Sequence, residues 1–355
     1  MKKYPCLEID LGKVSHNVAE INKLATAKGI EIIGIIKGFN AIPEIVQAMI
    51  KSGLKFLGAS RLENIQPLIA AGIKAEMMLI RIPMLHEVDS VVKLTNCSLN
   101  SEISVMEALS LAAIKQNKIH DIILMVDLGD LREGILPEEV YDTAKKIIPL
   151  KGIHLKGLGV NFDCVSGFQP SVSALNELVI LSQKIEKDLG IVLEVVSGGS
   201  TSSLGLVVQD TIPSQVNQLR VGEGILLGHS DIFTNLENTF QDAFILSAEI
   251  IELKNKESVP TGKIGRNSFG EIPKFQAEGV RKRAILAVGK QDVYPDHLNP
   301  LDKKIKIIAA SSDHLIIDVT DSTIDYKVGD EIQFIPSYPG ILSITTSKYV
   351  SLRFI

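Results

Sequence analysis

The residue best placed to do chemistry in this chain is a lysine at the end of an apolar run. Residues 31–37 read Glu-Ile-Ile-Gly-Ile-Ile-Lys, and this β-branched run predicts a strand buried on both faces, as in parallel sheets. Lys37 therefore lies where the strand leaves the core, and a half-buried lysine there can lose its proton and form a Schiff base. The alternative is an ordinary lysine whose stem lies along apolar surface while its amine reaches water.

Three further polar clusters follow predicted strands. Residues 127–134 place Arg132 among glycines and acids, where its guanidinium either binds a carboxylate or phenolate oxygen or neutralises its acidic neighbours. Residues 197–203 include Ser200 and Thr201, and their glycines and hydroxyls suit either a phosphate or a helix N-cap. Residues 220–224 combine Arg220 with a glycine-lined backbone. A phosphate site beside a strand-end lysine suggests pyridoxal phosphate.

Short apolar runs alternate with longer amphipathic segments over the first two thirds of the chain. This alternation predicts repeated βα units, and so an α/β fold with a parallel sheet. The candidate strands are residues 7–11, 31–37, 56–60, 77–81, 97–100, 122–128, 155–161, 193–199 and 218–228. Their number favours a closed (β/α)8 TIM barrel over an open doubly wound sheet. No GxGxxG follows the first strand, which counts against a dinucleotide-binding fold.

The alternation of predicted strands and helices ends near residue 236. Strand-like runs then follow one another, separated by turn residues such as Val328-Gly329-Asp330, and helical patterns disappear. We therefore expect two domains, a barrel over residues 1–235 and an all-β domain over residues 236–355.

Composition excludes several classes of function. The net charge is -5, so we expect no nucleic-acid partner. No apolar run is long enough to cross a membrane, and the N-terminus has no signal-peptide pattern, so we expect no membrane partner. The three cysteines are widely spaced and fit neither a disulfide framework nor a CxxC metal site, which suits a reducing cytoplasm and no metal.

Taken in order, the motifs resemble those of the alanine racemase family of pyridoxal phosphate enzymes, and their residues are similar to those of its ornithine racemase branch. The matching segments are Lys37-Gly38, residues 122–134, Ser197-Gly198-Gly199, residues 219–228 and residues 310–314. The resemblance covers essentially the whole chain. It implies a barrel with a C-terminal β domain, pyridoxal 5'-phosphate as cofactor, a small amino acid as substrate and a homodimer.

The resemblance also implies roles for individual residues. Lys37 matches the lysine that binds the cofactor as a Schiff base and acts as a base on one of its faces. Arg220 matches the arginine that faces the pyridine nitrogen, and Arg132 matches the arginine that reaches the phenolic oxygen and the substrate carboxylate. Asn161 falls where alanine racemases carry a histidine that packs on the ring. The phosphate site is matched by Thr201, the main chains of Gly222 and Glu223, and a capping Tyr338.

Two departures from the family pattern leave roles open. The residues after Lys37 supply no tyrosine for the phosphate, and residues 263–270 lack the tyrosine that serves alanine racemases as the opposite base. Candidates for that second base are Tyr294, Asp292 and Cys164, each of which also has an ordinary structural explanation. The acidic residues available to hold a basic side chain are Glu133, Asp163, Asp292 and Asp313.

The resulting hypothesis is a cytoplasmic racemase of a free amino acid, ornithine first, then lysine, arginine or alanine. The alternatives are an alanine or broad-specificity racemase, and a non-catalytic carrier of pyridoxal phosphate. The β domain counts against the carrier because the single-domain carriers end with the barrel. Another alternative is a decarboxylase of this fold, but such an enzyme usually places a carboxylate where this chain has Arg220. The last alternative is a barrel that binds no cofactor, and such a protein would show no yellow absorbance when purified.

Overall fold

The computed structural model describes residues 3–229 and 236–355. Two compact units are present: Leu11–Gln241 forms one, and the residues up to Asp10 join Asp242–Ile355 in the other. The unit boundaries therefore differ from the expected division into 1–235 and 236–355, because the N-terminal segment belongs with the C-terminal part of the chain. Within the described ranges, no helix is both long and apolar enough to span a membrane.

The first strand, β1 (Cys6–Ile9), lies outside the barrel. It corresponds to the candidate strand predicted over residues 7–11, and the expectation that this strand belongs to the barrel is wrong. Leu7 and Ile9 are fully buried, but β1 pairs antiparallel and parallel with two strands of the C-terminal unit. Apolar periodicity predicts that a segment is a strand, but it does not say which sheet the strand joins.

The Leu11–Gln241 unit is a closed parallel barrel surrounded by helices. The barrel strands are β2 (Glu31–Ile35), β3 (Phe56–Ala59), β4 (Glu76–Leu79), β5 (Cys97–Asn100), β6 (His120–Val126), β7 (Ile153–Val160), β8 (Val195–Ser200) and β9 (Gln218–Val221). The helices are α1 (Leu11–Thr26), α2 (Pro43–Lys51), α3 (Gln66–Ala70), α4 (Val88–Leu94), α5 (Ile103–Lys115), α6 (Val140–Ile147), α7 (Val172–Leu189), α8 (Leu204–Val208) and α9 (Glu223–Leu227). The predicted TIM barrel is confirmed.

Apolar side chains fill the barrel, so its middle is a packed core. Ile33 and Ile35 from β2, Leu99 from β5 and Ile123 and Met125 from β6 belong to one buried cluster. Alternate residues of each strand face inward and form layers, which is the usual packing of such barrels. The functional side chains must therefore lie beyond the strand ends.

The last barrel strand is shorter than predicted. Residues 218–228 read as one apolar strand, but β9 ends at Val221 and the short helix α9 follows. Ile225, Leu226 and Leu227 are buried in the helix as they would be in a strand. A short apolar run does not distinguish the two structures.

The second unit is built mainly from antiparallel strands. They are β10 (Phe244–Glu257), β11 (Val280–Leu286), β12 (Leu298–Pro300), β13 (Lys306–Ala310), β14 (Leu315–Asp318), β15 (Glu331–Pro336) and β16 (Ser351–Phe354). The long strand β10 pairs with β1, β11 and β15 and so joins the two halves of the sheet. The predicted C-terminal β domain is confirmed, with one helix that the sequence reading missed, α10 (Tyr338–Ile344).

Candidate active site

Five neighbouring strands bring the predicted site residues to one edge of the barrel. Strand β2 pairs with β9, β9 with β8, β8 with β7 and β7 with β6. Their carboxyl ends carry, in that spatial order, Lys37, Arg220, Thr201, Asn161 and Arg132. Barrel enzymes place their catalytic residues at this end of the strands.

Lys37 begins a 3-10 turn, Lys37–Phe39, two residues after β2 ends. Asn40 and Ala41 follow with φ angles of 51° and 53°, and Asn64 Nδ2 donates to Asn40 Oδ1 at 3.1 Å. The amine of Lys37 is half-buried, and burial lowers its pKa, with Arg132 and Arg220 acting in the same direction. A lysine held in this way has its neutral, nucleophilic form available at lower pH than an exposed lysine.

Arg220 is a buried cation on β9, only 4% exposed. Its Nη1 donates to Ser197 Oγ at 2.5 Å, and its Nη2 donates to the Val160 carbonyl at 2.6 Å and to Asn161 Oδ1 at 2.7 Å. Burial lowers the pKa of Arg220 to about 10, so the guanidinium stays protonated near neutral pH. All three acceptors are uncharged, and the cation is therefore held without a directly bonded carboxylate.

A chain of polar contacts joins Arg220 to Arg132. Asn161 Nδ2 donates to Glu133 Oε1 at 2.5 Å, and Arg132 Nη2 donates to the same oxygen at 2.7 Å. Arg132 Nε also contacts Glu133 Oε2. We call Arg132, Glu133, Asn161 and Arg220 the two-arginine network. It fixes the spacing of two guanidinium groups at the mouth of the barrel.

The loop that carries Arg132 depends on a glycine. Gly134 has a φ angle of 141°, and a Cβ atom there would lie 2.4 Å from the backbone nitrogen of Asp127. Asp127 Oδ1 in turn accepts from the amides of Gly129 and Leu131 at 2.9 and 3.1 Å. The loop is therefore tightly folded back on the end of β6, and only glycine fits this position.

Thr201 forms the centre of a small backbone cradle. It is 4% exposed, and its Oγ1 accepts from the amides of Gly222 and Gly224, both at 3.3 Å. A Cβ atom on Gly222 would lie 3.0 Å from Cβ of Ile35, so the turn packs directly on the end of β2. Glu223 is the first residue of α9, between the two glycines. A hydroxyl and two amides in one place form the kind of donor set that binds phosphate.

The other hydroxyls of residues 197–203 have different partners. Ser197 is fully buried and bound to Arg220, and Ser203 Oγ donates to the Gly198 carbonyl at 2.7 Å. Ser200 and Ser202 share a hydrogen bond between their hydroxyls at 3.2 Å. Among these residues, Thr201 is the one whose hydroxyl contacts the Gly222–Gly224 turn.

The candidates for a second base have different surroundings. Asp292 is buried in the C-terminal unit, where its carboxylate accepts from Ser347 Oγ at 2.7 Å and from the Gly289 amide at 3.3 Å, which gives it a structural role. Tyr294 lies in the same unit and is half exposed, with the Lys290 amine 5.6 Å from its ring centre. Cys164 lies in the barrel unit, exposed in the loop after β7.

The remaining predicted residues fall in both units. Tyr338 is half-buried at the first position of α10 in the C-terminal unit. Of the acidic candidates for a basic side chain, Glu133 has both oxygens engaged by the two-arginine network. Asp163 lies in the barrel unit after β7, and Asp313 lies in an exposed turn of the C-terminal unit, where Ser312 Oγ donates to it at 2.8 Å.

A separate polar cavity lies at the opposite, amino end of the barrel. Its lining includes Glu31, Glu76 and Asp121, at the starts of their strands, and Lys156 of β7. Lys156 Nζ donates to Asp121 Oδ2 at 2.7 Å, so part of this charge is paired locally. In barrels of this kind, contacts at the amino end of the strands contribute to stability, whereas active sites lie at the carboxyl end.

Sequence reasoning missed two functional contacts. It assigned Ser197 to a phosphate cluster and Glu133 to substrate binding, but both side chains bind the arginines. The adjacency of Arg132 and Glu133 was a usable signal. The contact of Ser197 with Arg220 has no comparable signal in the sequence, because it depends on the register between β8 and β9.

Comparisons with known proteins agree with this geometry. Residues 9–230 match the family model for the alanine racemase N-terminal domain. The chain is 40% identical to the ornithine racemase of Acetoanaerobium sticklandii over 98% of both chains. It is 38% identical to the lysine racemase of Thermotoga maritima over 98% of this chain and 97% of that one. The alanine racemase structure from D-cycloserine-producing Streptomyces lavendulae superposes with a TM-score of 0.77 at 16% identity, covering 100% of this chain and 98% of that one.

Proposed function

This chain belongs to the alanine racemase family, and we propose that it is a pyridoxal 5'-phosphate-dependent racemase of a basic amino acid, ornithine first. Lysine is the next candidate, followed by arginine and alanine. Two full-length relatives are named for racemisation of ornithine and lysine, which supports a substrate with a cationic side chain. The observation that carries the proposal is the juxtaposition of Lys37, at the end of β2, with a buried Arg220 on the adjacent strand β9.

The residues at this edge of the barrel fit the cofactor. The lowered pKa of Lys37 makes its neutral amine, the form that reacts with an aldehyde, available at a lower pH than in an exposed lysine. The Thr201 hydroxyl and the amides of Gly222 and Gly224 already converge, which supports a phosphate site formed by Thr201, Gly222 and Glu223. Ser200, at the end of β8, belongs to the proposed cofactor-binding set, and a role for Tyr338 stays a prediction from the family resemblance.

When bound, pyridoxal phosphate supplies an electron sink for the electron pair of the broken Cα–H bond. Arg220 would limit that sink, because a guanidinium that keeps its own proton near neutral pH does not protonate a ring nitrogen beside it. A weak sink favours prompt return of a proton to Cα over other reactions, which suits racemisation. Lys37 then removes or returns the proton on its own side.

Arg132 is the proposed anchor for the substrate carboxylate. Glu133 holds its guanidinium through two contacts, so the fork of donors has a fixed direction. Asn161 connects this anchor to Arg220 and keeps the two cations at a constant separation. Fixed donors of this kind orient a substrate without a loss of side-chain entropy at each binding event.

The decisive experiment is a racemisation assay on the holoprotein with single enantiomers. Loss of optical activity is measured in turn with ornithine, lysine, arginine, alanine and serine. We expect the highest kcat/KM with ornithine. Lys37→Ala protein is the matched control. Protein with bound yellow cofactor that racemises none of the five would overturn the proposal and favour the carrier. The homodimer and the cytoplasmic location stay predictions from the sequence.

A further inference from the structure

The loop that carries Arg132 contains a second buried acid, Asp130. We propose that Asp130 is a positioning residue: it holds Arg132 together with Glu133, and it ties this arginine to the loop after β7. The role rests on the proposed function, because Arg132 is there the anchor for the substrate carboxylate. In this role Asp130 touches no reacting atom.

The two oxygens of Asp130 have different surroundings. The residue is 2% exposed. Its Oδ1 accepts from Ser166 Oγ at 3.3 Å and from the amides of Val165 and Ser166 at 3.3 and 3.4 Å. Its Oδ2 is also buried, but no described residue donates a hydrogen bond to it. A buried carboxylate oxygen without a donor is costly, so a cation nearby is needed to offset that cost.

Arg132 supplies this cation. Its Nε lies 4.0 Å from Asp130 Oδ2. The same Nε contacts Glu133 Oε2, and Nη2 donates to Glu133 Oε1 at 2.7 Å. Arg132 therefore has two carboxylate neighbours, one in direct contact and one about 1 Å beyond hydrogen-bond distance. The guanidinium can shift toward Asp130 without losing a charge partner, which lets it adjust to the carboxylate of a substrate.

The loop after β7 gives Asp130 a firm support. Phe162 of this loop is fully buried, and its ring centre lies 5.7 Å from that of Phe168. Ser166 Oγ also donates to the Gly129 carbonyl at 3.1 Å. A Cβ atom on Gly129 would lie 3.3 Å from the ring of Phe168, so the two loops are in close contact. They form one packed unit, and Asp130 connects that unit to the anchor.

A different role for Asp130 would be to bind the cationic side chain of the substrate. Two observations favour the role at the anchor. Oδ2 is closed off from solvent, and the cation that approaches it is Arg132 of the same loop. The two roles predict opposite responses to ligands that lack one charged group.

The first test therefore compares three ligands. Ornithine has an α-carboxylate and a side-chain ammonium, norvaline lacks the ammonium, and putrescine lacks the carboxylate. Each is titrated into wild-type and Asp130→Asn holoprotein, and the absorbance of the bound cofactor gives the Kd. Asparagine keeps an oxygen for Val165 and Ser166 but removes the charge beside Arg132. We expect the Kd to rise by about tenfold for ornithine and norvaline and to stay within about twofold for putrescine.

Steady-state racemisation of ornithine should divide in the same way, with KM about tenfold higher and kcat within about threefold of wild type. Asp142→Asn, at an exposed position of α6, is the matched control and should change neither constant. Weaker binding of putrescine, alone or with ornithine, would overturn the inference, and so would unchanged affinity for all three ligands. Failure of the proposed function looks different, because wild-type holoprotein would then racemise nothing.

A second variant acts at the other end of the same carboxylate. Ser166→Ala removes one donor to Asp130 Oδ1 and the bond to the Gly129 carbonyl, but it leaves every charge in place. We expect the Kd for ornithine to rise by about threefold, again without a change for putrescine. A Kd for ornithine equal to that of wild type would contradict the support of the anchor by the loop after β7.

A third test needs neither cofactor nor activity. Asp130→Asn, Arg132→Gln and the double variant are unfolded with urea as apoproteins. If the two side chains interact, the effects of the single substitutions on the unfolding equilibrium constant do not multiply. We expect a deviation of about threefold or more. Independent effects would overturn the inference, whatever the activity of the holoprotein.

Discussion

Asn161 accepts a hydrogen bond from Arg220 at 2.7 Å and, through the other end of the same amide, donates one to Glu133 at 2.5 Å. The side chain is 6% exposed, so both bonds lie in a region of low dielectric. One amide thus connects the cation on β9 with the ion pair on the β6 loop. The amide can do this because it carries both a hydrogen-bond donor and an acceptor.

The first prediction concerns this amide. Asn161→Ala leaves Arg220 with Ser197 and Val160 as acceptors and leaves the half-buried carboxylate of Glu133 with one donor fewer. We expect the free energy of unfolding to fall by about 1–3 kcal/mol. Urea unfolding measures this, with the exposed Asn299→Ala as control. A loss no larger than that of the control would show that the network contributes nothing to stability.

The second prediction concerns the lysine. Lys37→Ala should prevent covalent attachment of pyridoxal phosphate, because no other amine lies at the end of β2. Borohydride reduction followed by peptide mass spectrometry measures the attachment. Lys55→Ala, at an exposed position before β3, should keep the label at the wild-type level. Label that persists in Lys37→Ala protein would identify a different lysine as the attachment site.

The third prediction concerns the backbone cradle. Thr201→Val keeps the shape of the side chain but removes the hydroxyl that contacts the amides of Gly222 and Gly224. We expect the Kd of the apoprotein for pyridoxal phosphate to rise by about tenfold, the effect of one lost hydrogen bond to a charged group. Absorbance titration measures this Kd. Thr26→Val, the same change at the exposed end of α1, is the control, and a Kd equal to that of the control would argue against a phosphate at Thr201.

The fourth prediction concerns pH and a histidine inside the barrel unit. His120 is 2% exposed, its Nε2 lies 2.8 Å from Ser98 Oγ, and burial lowers its pKa to about 4. The unfolded chain binds this proton below about pH 6.5 while the folded protein does not, so acid favours unfolding. The contribution is a loss of about 2 kcal/mol of unfolding free energy between pH 7 and pH 5.

Urea unfolding of His120→Gln at the two pH values tests this sign and size. Glutamine cannot titrate, so the variant should lose less stability on acidification than wild-type protein does. The exposed His314→Gln is the control and should behave as wild type. An unchanged pH dependence in His120→Gln would mean that other groups cause the acid sensitivity.

By itself, the sequence determined the kind of fold and the main chemical groups. β-Branched runs separated by amphipathic segments specify parallel strands and covering helices, and a polar residue after such a run must lie at a strand end. Lys37, Arg132, Thr201 and Arg220 could therefore be assigned to one edge of a barrel before any coordinates. Local patterns determine these features because they depend on neighbours along the chain.

Tertiary structure alone decided which strands and side chains meet. Residues 7–11 were correctly read as a strand, but pairing with β10 and β16 places that strand in the C-terminal unit. Ser197 binds Arg220, and Glu133 binds both Arg132 and Asn161, because the registers of β6 to β9 bring them together. These contacts join residues more than twenty positions apart, apart from the adjacent pair Arg132 and Glu133. Periodicity contains no information on such distances, so the surroundings of each proposed site residue are decided only when the barrel closes.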